Sequence, residues 1–126
     1  MNGKRFFTKG FTLLELMVVL AIIALLLTIA APRYFIQVDR AKEAALKQTL
    51  FIVRDAIDKF KSDKGHYPYS LDELVSGQYL RQRPIDPVTN RSDTWKAVTA
   101  DSEGRISDIH SGSDAQALDG SAYAEW

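Results

Sequence analysis

The sequence predicts an α+β fold, in which a long N-terminal helix carries a small antiparallel β-sheet packed on its C-terminal half. Three patterns support this fold class. Residues 11–31 form one apolar run, and residues 46–60 repeat apolar side chains at spacings of 4, 3, 4 and 3, as one face of a helix does. Two short segments, 94–99 and 105–110, have strand-like composition and are separated by turn-forming residues.

Composition limits what the chain can do. The protein has 126 residues, with 16 acidic and 16 basic side chains and no cysteine. Disulfides, cysteine zinc sites and catalytic thiolates are therefore excluded. A nucleic-acid partner is not expected either, because such proteins carry an excess of basic residues. The charge is uneven along the chain: residues 1–10 hold the bases Lys4, Arg5 and Lys9 and no acid.

The apolar run is long enough to cross a membrane. At about 1.5 Å per residue, residues 11–31 span roughly 31 Å, close to the ~30 Å hydrocarbon core. The basic residues before the run predict a cytoplasmic N-terminus and a C-terminal domain on the far side. The alternative is an ordinary signal peptide cleaved after Ala30. Glu15 argues against that alternative, because a carboxylate within a membrane segment costs about 3 kcal/mol and so suggests a function.

The segment Lys9-Gly10-Phe11-Thr12-Leu13-Leu14-Glu15 resembles the processing signal of type IV prepilins and pseudopilins. In that family a prepilin peptidase cuts after the glycine, the new N-terminal residue is N-methylated, and a glutamate is the fifth residue after the cut. The resemblance implies cleavage between Gly10 and Phe11, with N-methylation of Phe11. It also implies three regions: a basic leader at 1–10, a transmembrane or filament-core helix at 11–32 and a periplasmic globular domain at 33–126.

The chemistry of Glu15 can be argued from the residues. Cleavage creates a positive amine at Phe11, and helices that bundle together place this amine and the carboxylate in apolar surroundings. An unpaired buried charge is very costly, and pairing offsets much of that cost. We expect Glu15 to pair with the Phe11 amine of a neighbouring copy and so to set the stagger between subunits. The alternative is that Glu15 reaches the membrane surface, since it lies only four residues from the mature end.

The helix is expected to continue beyond the membrane. Pro32 removes one hydrogen bond and predicts a kink without ending the helix. The resemblance places this proline where the helix leaves the membrane, and we assign it an assembly role. The apolar face that follows should carry the domain: Leu46, Leu50, Val53, Ile57 and Phe60. Gly65, followed by Pro68, predicts the helix end.

The middle of the chain contains two further family-like segments. Gly65-His66-Tyr67-Pro68 resembles the stretch that follows the long helix in many pseudopilins. Residues 79–87, with Asp86-Pro87 at their end, resemble a segment of the major pseudopilin of type II secretion systems. Between them, Ser70-Leu71-Asp72-Glu73 is a capping box that predicts a short helix ended by Gly77.

The C-terminal part is predicted to form the sheet and its closure. Residues 101–104 predict a turn between the strands. Trp95, Ala97, Ile106 and Ile109 are expected to cover the helix. The tail from Ser111 to Trp126 is rich in glycine, serine, aspartate and alanine, and its aromatic end predicts a docked closing strand.

Oxygen-bearing side chains in the tail suggest a metal ion. Calcium takes six to eight oxygen ligands, many of them carbonyls. Major pseudopilins bind a structural calcium in a similar but longer loop that carries an additional acid, so this sequence departs from theirs. The resemblance implies Asp114 and Asp119 as ligands, with Ser111 as a further one and Asp108 as an alternative. An ordinary polar surface loop explains the same residues.

No enzyme is predicted. His66 and His110 are far apart in the sequence, and Ser111 lacks the surroundings of a hydrolase nucleophile. The resemblance implies instead a helical homo-oligomeric filament in the periplasm, built from an inner-membrane pool. Its implied partners are prepilin peptidase, an inner-membrane assembly platform and minor pseudopilins. Two filament alternatives stay open, a major subunit of a surface type IV pilus and a minor subunit. From another class, a secreted or anchored binding module remains.

Overall fold

The structure, a computed structural model, describes Gly3 and residues 10–126. The basic residues of the predicted leader, Lys4, Arg5 and Lys9, lie outside the described residues. It forms two compact units that divide after Gln37. The first helix, α1, runs from Leu13 to Lys64 and belongs to both units. The second unit also contains α2 (Leu71–Ser76), β1 (Lys96–Thr99), β2 (Ile106–His110) and a 3₁₀ turn at Tyr123–Glu125. The α+β prediction is confirmed.

The apolar face of α1 is the centre of the second unit. All five predicted side chains are buried, together with Ala56: Leu46, Leu50, Val53, Ile57 and Phe60. They form one core with residues from α2, from β2 and from the C-terminal segment. Burial of a large aliphatic or aromatic side chain contributes about 1.5–3 kcal/mol, so this face supplies a large share of the domain's hydrophobic stabilisation.

The end of α1 and the start of α2 follow the predicted signals. Gly65 follows α1 with φ +79°, a conformation that glycine adopts without steric cost, and its N–H donates to the Lys61 carbonyl. Ser70 caps α2 by accepting the Glu73 N–H at 3.2 Å. The Glu73 carboxylate in turn accepts the Tyr69 N–H at 2.7 Å. This reciprocal pair fixes where the chain re-enters helical structure.

The two strands pair antiparallel, but only β2 covers the helix. Its residues Ile106 and Ile109 are buried, whereas every residue of β1 is exposed. The prediction that Ala97 covers the helix is therefore wrong, because Ala97 is exposed. Trp95, which precedes β1, packs against the core as expected and its indole N–H donates to the Pro84 carbonyl at 2.8 Å.

The C-terminal segment is docked, although not as a strand. Residues 123–125 form a 3₁₀ turn, and the nearest pairing is an isolated bridge between Gln116 and Ala122. Tyr123 is buried and its ring lies 5.1 Å from that of Trp126. The predicted closing strand is therefore wrong, because side-chain contacts rather than backbone ladder bonds hold this segment.

Candidate functional site

The predicted processing site lies at the very start of α1. Thr12 caps the helix: its hydroxyl oxygen accepts the Glu15 N–H at 3.1 Å, and its carbonyl accepts the Leu16 N–H. Glu15 thus lies in the first helical turn, where a negative charge is favourable to the helix dipole. Thr12-x-x-Glu15 is a capping-box pattern that the sequence prediction did not use.

The residues before the helix are open to their surroundings. Phe11 is 85% exposed, and a side chain built at Gly10 would meet no atom within 4 Å. An apolar depression of about 350 Å³ surrounds Glu15 and is lined by the side chains of Phe11, Leu14, Val18 and Val19. A peptidase can reach this junction without displacing any other described part of the first unit.

Among the residues that the structure describes, none buries the apolar side chains of residues 10–37. Every residue from 10 to 37 is exposed, including large aliphatic ones such as Leu20, Ile23 and Leu27. The stretch belongs to a helix that is long and apolar enough to cross a membrane. A helix that is apolar on all sides needs lipid or other helices around it. Pro32 lies inside α1, which continues on both sides of it as predicted.

The predicted calcium ligands have separate partners. Ser111 is fully buried, and its hydroxyl donates to Asp86 Oδ2 at 2.6 Å while accepting the Ser113 N–H at 3.2 Å. Its oxygen is thus engaged inside the fold rather than presented to a metal. Asp114 is almost fully exposed and lies 3.7 Å from Lys96 Nζ.

Asp119 keeps one carboxylate oxygen without a hydrogen bond in the described structure. Its Oδ1 accepts both the N–H and the hydroxyl of Ser121, at 2.9 and 2.6 Å. These bonds, first the hydroxyl, hold the pKa of Asp119 below its usual value, so that its carboxylate is charged at neutral pH. Within residues 10–126 no three His, Asp or Glu side chains gather to hold a metal. A calcium ion here would depend on Asp114, Asp119 and carbonyl oxygens, and the site stays a prediction.

Asp86 organises the loop before β1, a role that the sequence reading missed. Its side chain is fully buried and accepts four hydrogen bonds: from Ser111, from the Gly112 N–H at 3.2 Å, and from the N–H groups of Val88 and Thr89. It therefore joins its own loop to the end of β2. The loop fits closely, since a side chain at Gly112 would overlap the Thr94 carbonyl. The Asp86-Pro87 motif was the available signal.

Charged residues of α1 fasten the C-terminal segment. Glu43 accepts the Leu118 N–H at 2.7 Å and the Tyr123 hydroxyl at 2.9 Å. Arg54 donates to Asp108 at 2.7 Å, to the Ile109 carbonyl at 3.0 Å and to the Trp126 carbonyl at 2.5 Å. Asp108, the alternative calcium ligand, is thus engaged by a guanidinium. Glu43 and Arg54 lie off the apolar face of α1, so the sequence pattern alone predicts that they are exposed to solvent.

The two histidines serve as local structural contacts. His66 packs edge-on against Phe60 at 5.6 Å and hydrogen-bonds the Tyr67 carbonyl through Nδ1. His110 Nδ1 lies 3.2 Å from the Trp126 carbonyl. Neither lies beside a nucleophilic side chain in these contacts, which gives no support to a catalytic role.

Known proteins are similar to this chain in both of its units. Residues 6–31 match the prokaryotic N-terminal methylation motif. The type II secretion system core protein G of Aeromonas hydrophila is 26% identical over 134 residues, covering 94% of this chain and 92% of that protein. The core protein G of Escherichia coli K12 is 31% identical over 99 residues, covering 76% of this chain and 67% of its own.

A shorter similarity reaches a pilus protein. The fimbrial protein EcpC of Eikenella corrodens is 42% identical over 77 residues, covering 57% of this chain and 50% of that protein. No solved structure matches the chain.

Proposed function

Because the chain belongs to the family of the type II secretion system core protein G, we propose that it is the structural subunit of a periplasmic pseudopilus that drives protein export. One observation carries this proposal: a capped helix starts directly after the Gly10–Phe11 junction and places Glu15 in its first turn, on a segment whose apolar side chains are all exposed. Such a helix start suits a subunit that is cut, held in lipid and then bundled with copies of itself.

The apolar segment explains how one subunit can occupy two environments. In the inner membrane, lipid covers its side chains, and in a filament the same segments of other copies cover them. Because both surroundings are apolar, extraction changes the hydrophobic free energy little. Contacts that are heterologous, meaning different on the two partners, then extend the assembly into an open helix.

Glu15 supplies selectivity within this bundle. A carboxylate in apolar surroundings needs an opposite charge, and the free amine of a processed Phe11 provides one. The carboxylate therefore favours the single axial stagger at which it reaches the amine of a neighbouring copy. In this proposal the chain itself catalyses no reaction, and its role is mechanical.

We propose a membrane orientation for the chain and the proteins that process and assemble it. The N-terminus lies in the cytoplasm and the domain in the periplasm, as the bases before the apolar segment favour. Prepilin peptidase removes the leader, an inner-membrane assembly platform adds the subunit to the filament, and minor pseudopilins share it. The family and the methylation motif at residues 6–31 support these proposed partners.

The processing step has a direct test. Intact-mass and N-terminal analysis of the protein extracted from membranes should give a chain that begins at N-methylated Phe11. A Gly10→Trp variant should retain its leader, whereas Gly10→Ala should be processed, because a small residue still fits a peptidase. A mature chain that begins at Ala31 would contradict the proposal and indicate a secreted protein.

We also propose that a calcium ion binds beside Asp114 and Asp119, as the family resemblance suggests. The free oxygens of these two carboxylates support it. Calcium should then raise the melting temperature of the full chain in detergent and a chelator should lower it. An Asp119→Asn variant should lose this response, whereas an Asp101→Asn variant should keep it. No change with either reagent would remove the metal from the proposal.

A surface type IV pilus is the second candidate, favoured by the 42% identity to a fimbrial protein over 77 residues. The two proposed functions predict different defects when the gene for this chain is deleted. A pseudopilus subunit is required for release of exported proteins into the medium, whereas a pilus subunit is required for surface fibres. Normal export together with lost surface fibres would favour the pilus.

A further inference from the structure

One basic and two aromatic side chains follow directly after the apolar run. Arg33, Tyr34 and Phe35 come immediately after Pro32 and belong to the first unit. Arg33 is exposed, Tyr34 and Phe35 are 66% and 64% exposed, and the two rings meet edge-on with centroids 5.9 Å apart. Among the described residues, none forms an ion pair with Arg33. The three side chains are therefore open to whatever surrounds this part of α1.

The length of the apolar run sets the depth of these residues in a membrane. When residues 11–31 fill the ~30 Å hydrocarbon core, each further helical residue lies about 1.5 Å beyond its edge. Arg33, Tyr34 and Phe35 then have their backbone roughly 3–6 Å outside the hydrocarbon. The headgroup layer on each side of a bilayer is about 5–7 Å thick, so all three residues fall within it.

The chemistry of these side chains suits the headgroup layer. Tyrosine is enriched at membrane surfaces, because its ring is apolar and its hydroxyl is polar. The planar guanidinium of arginine donates paired hydrogen bonds to a phosphate, and every phospholipid carries one. Helical side chains lean towards the helix N-terminus, which for Arg33 is the direction of the bilayer. This lean brings the guanidinium towards the level of the lipid phosphates.

Arg33 is also an isolated charge. Residues 16–38 contain no other acidic or basic side chain. Within the first unit the nearest acid is Glu15, which lies about 27 Å away along the helix. That distance is far too long for an ion pair, so the negative partner of Arg33 comes from outside the first unit. A lipid phosphate at the same depth provides one.

We propose that, before assembly, Arg33 binds a phospholipid phosphate in the periplasmic leaflet, with the rings of Tyr34 and Phe35 lying among the headgroups beside it. The inference rests on the proposed membrane anchoring of the subunit. The contact gives the waiting subunit a fixed depth, because the helix cannot sink further without drawing the guanidinium into hydrocarbon. It also means that a subunit releases a lipid headgroup when it leaves the membrane for the filament.

Solid-state NMR tests the phosphate contact directly. The full processed chain, labelled with ¹³C at its arginine guanidinium carbons, is reconstituted into vesicles of phosphatidylethanolamine and phosphatidylglycerol. Dipolar dephasing of the ¹³C signal by lipid ³¹P should reveal a guanidinium in direct contact with phosphate. Arg33→Lys should abolish most of this dephasing, whereas Arg40→Lys, which changes the next exposed arginine along the chain, should keep it. Dephasing that Arg33→Lys leaves unchanged would overturn the contact.

A depth measurement provides a second readout. The native chain has no cysteine, so Gln37→Cys carries a single fluorescent label just after the aromatic pair. In the same vesicles, quenching by nitroxides attached to lipids at known depths reports the position of the label. Arg33→Leu should bring the label about 5 Å, one helical turn, closer to the bilayer centre. Arg40→Leu should leave it in place, and an unchanged depth in Arg33→Leu would contradict the anchor.

Filament assays separate this inference from the proposed function. If Arg33→Leu keeps the wild-type depth but forms no filaments, Arg33 serves a contact between copies and the lipid contact is overturned. If the wild-type chain shows the phosphate contact but forms no filaments when its secretion genes are expressed, the filament function falls and the lipid contact stands. A purified chain that does not associate with the vesicles would overturn both the proposed membrane anchoring and this inference.

Discussion

The two halves of α1 use apolar side chains in opposite ways. From Leu13 to Gln37 they cover the whole helix circumference, and none is buried within the chain. From Val38 to Lys64 they are concentrated on one face, and that face is buried to between 0% and 3% exposure by α2, β2 and the C-terminal segment. One helix therefore combines a part that no described residue buries with a part that forms the core of its own domain.

Because of this difference, we expect the first half of α1 to contribute to the free energy of assembly and the second half to the free energy of unfolding. Substitutions in the first half should change assembly and leave the folding of the domain unaltered. Substitutions in the second half should change the free energy of unfolding. Four experiments test these expected effects on assembly and on stability.

The largest effect is expected at Glu15. Glu15→Ala should leave the protein processed and membrane-bound but should reduce filament yield by at least tenfold, because the Phe11 amine of a neighbour loses its partner. The melting temperature of the unassembled protein in detergent should not change. Thr12→Val removes the helix cap and keeps the charge, so its filament yield should fall far less. Normal filaments from Glu15→Ala would refute the pairing role.

The same substitution on the two halves gives the sharpest comparison. Ile57 is fully buried, and Ile57→Ala should lower the free energy of unfolding by about 2–5 kcal/mol through lost burial and a cavity. Ile23 is 46% exposed, and Ile23→Ala should change it by less than about 0.5 kcal/mol. Denaturant titration of both variants in detergent provides the measurement. Equal losses would show that the two halves are not energetically separate.

Within the second unit, a buried carboxylate can be compared with an exposed one. Asp86→Ala leaves the donors from Ser111, Gly112 and Val88 without their acceptor, and each unsatisfied buried group costs about 1–3 kcal/mol. We expect a total loss of about 3 kcal/mol, since water can reach some of these groups. Asp114→Ala, at an almost fully exposed position, should cost less than about 0.5 kcal/mol. A similar loss for both would contradict the structural role of Asp86.

The smallest effect concerns the Tyr123–Glu43 hydrogen bond. Burial, followed by the bond to Glu43, raises the pKa of Tyr123 to about 12 from an ordinary value near 10. A group whose folded pKa is raised contributes stability that is complete below its unfolded pKa and is lost as the pH rises through the folded value. The wild type should therefore lose stability between about pH 10 and 12.

Tyr123→Phe should remove that contribution. At neutral pH it should cost about 1.5–3 kcal/mol, the value of a hydrogen bond to a charged group. Between pH 10 and 12 its melting temperature should fall less than that of the wild type. Tyr34→Phe, at an exposed position of the first unit, is the matched control and should follow the wild-type curve. A Tyr123→Phe curve parallel to that of the wild type would contradict the assignment.

Local patterns predicted most of the first unit and the helices of the second. The all-round apolar composition of residues 11–31 needs no tertiary information, because no part of the chain that the structure describes buries these residues. The buried face of α1, the glycine after Lys64 and the cap at Ser70 also follow from spacing and local hydrogen bonds. The predicted cleavage between Gly10 and Phe11 and the predicted role of Glu15 rest on adjacent residues alone.

The sequence could not predict which side chains of the two strands are buried against the core. Ile106 and Ile109 are three residues apart, a spacing that would put them on opposite faces of a regular strand. An irregularity in the pairing between Val98 and Thr99 accommodates Ser107 and lets both isoleucines face the core. Ala97 pairs directly with Ile109 and therefore lies on the same face of the sheet, but β1 lies outside the packed core and Ala97 is exposed.

The sequence by itself determined where the chain is apolar and where its helices begin and end, since each depends on residues within a few positions of one another. Only the tertiary structure decided what the charged and polar groups do. Glu43, Arg54 and Asp86 find partners 25 to 80 residues away. Such partners are chosen by the packing of the whole domain, because a buried charge is tolerated only where distant donors or opposite charges meet it.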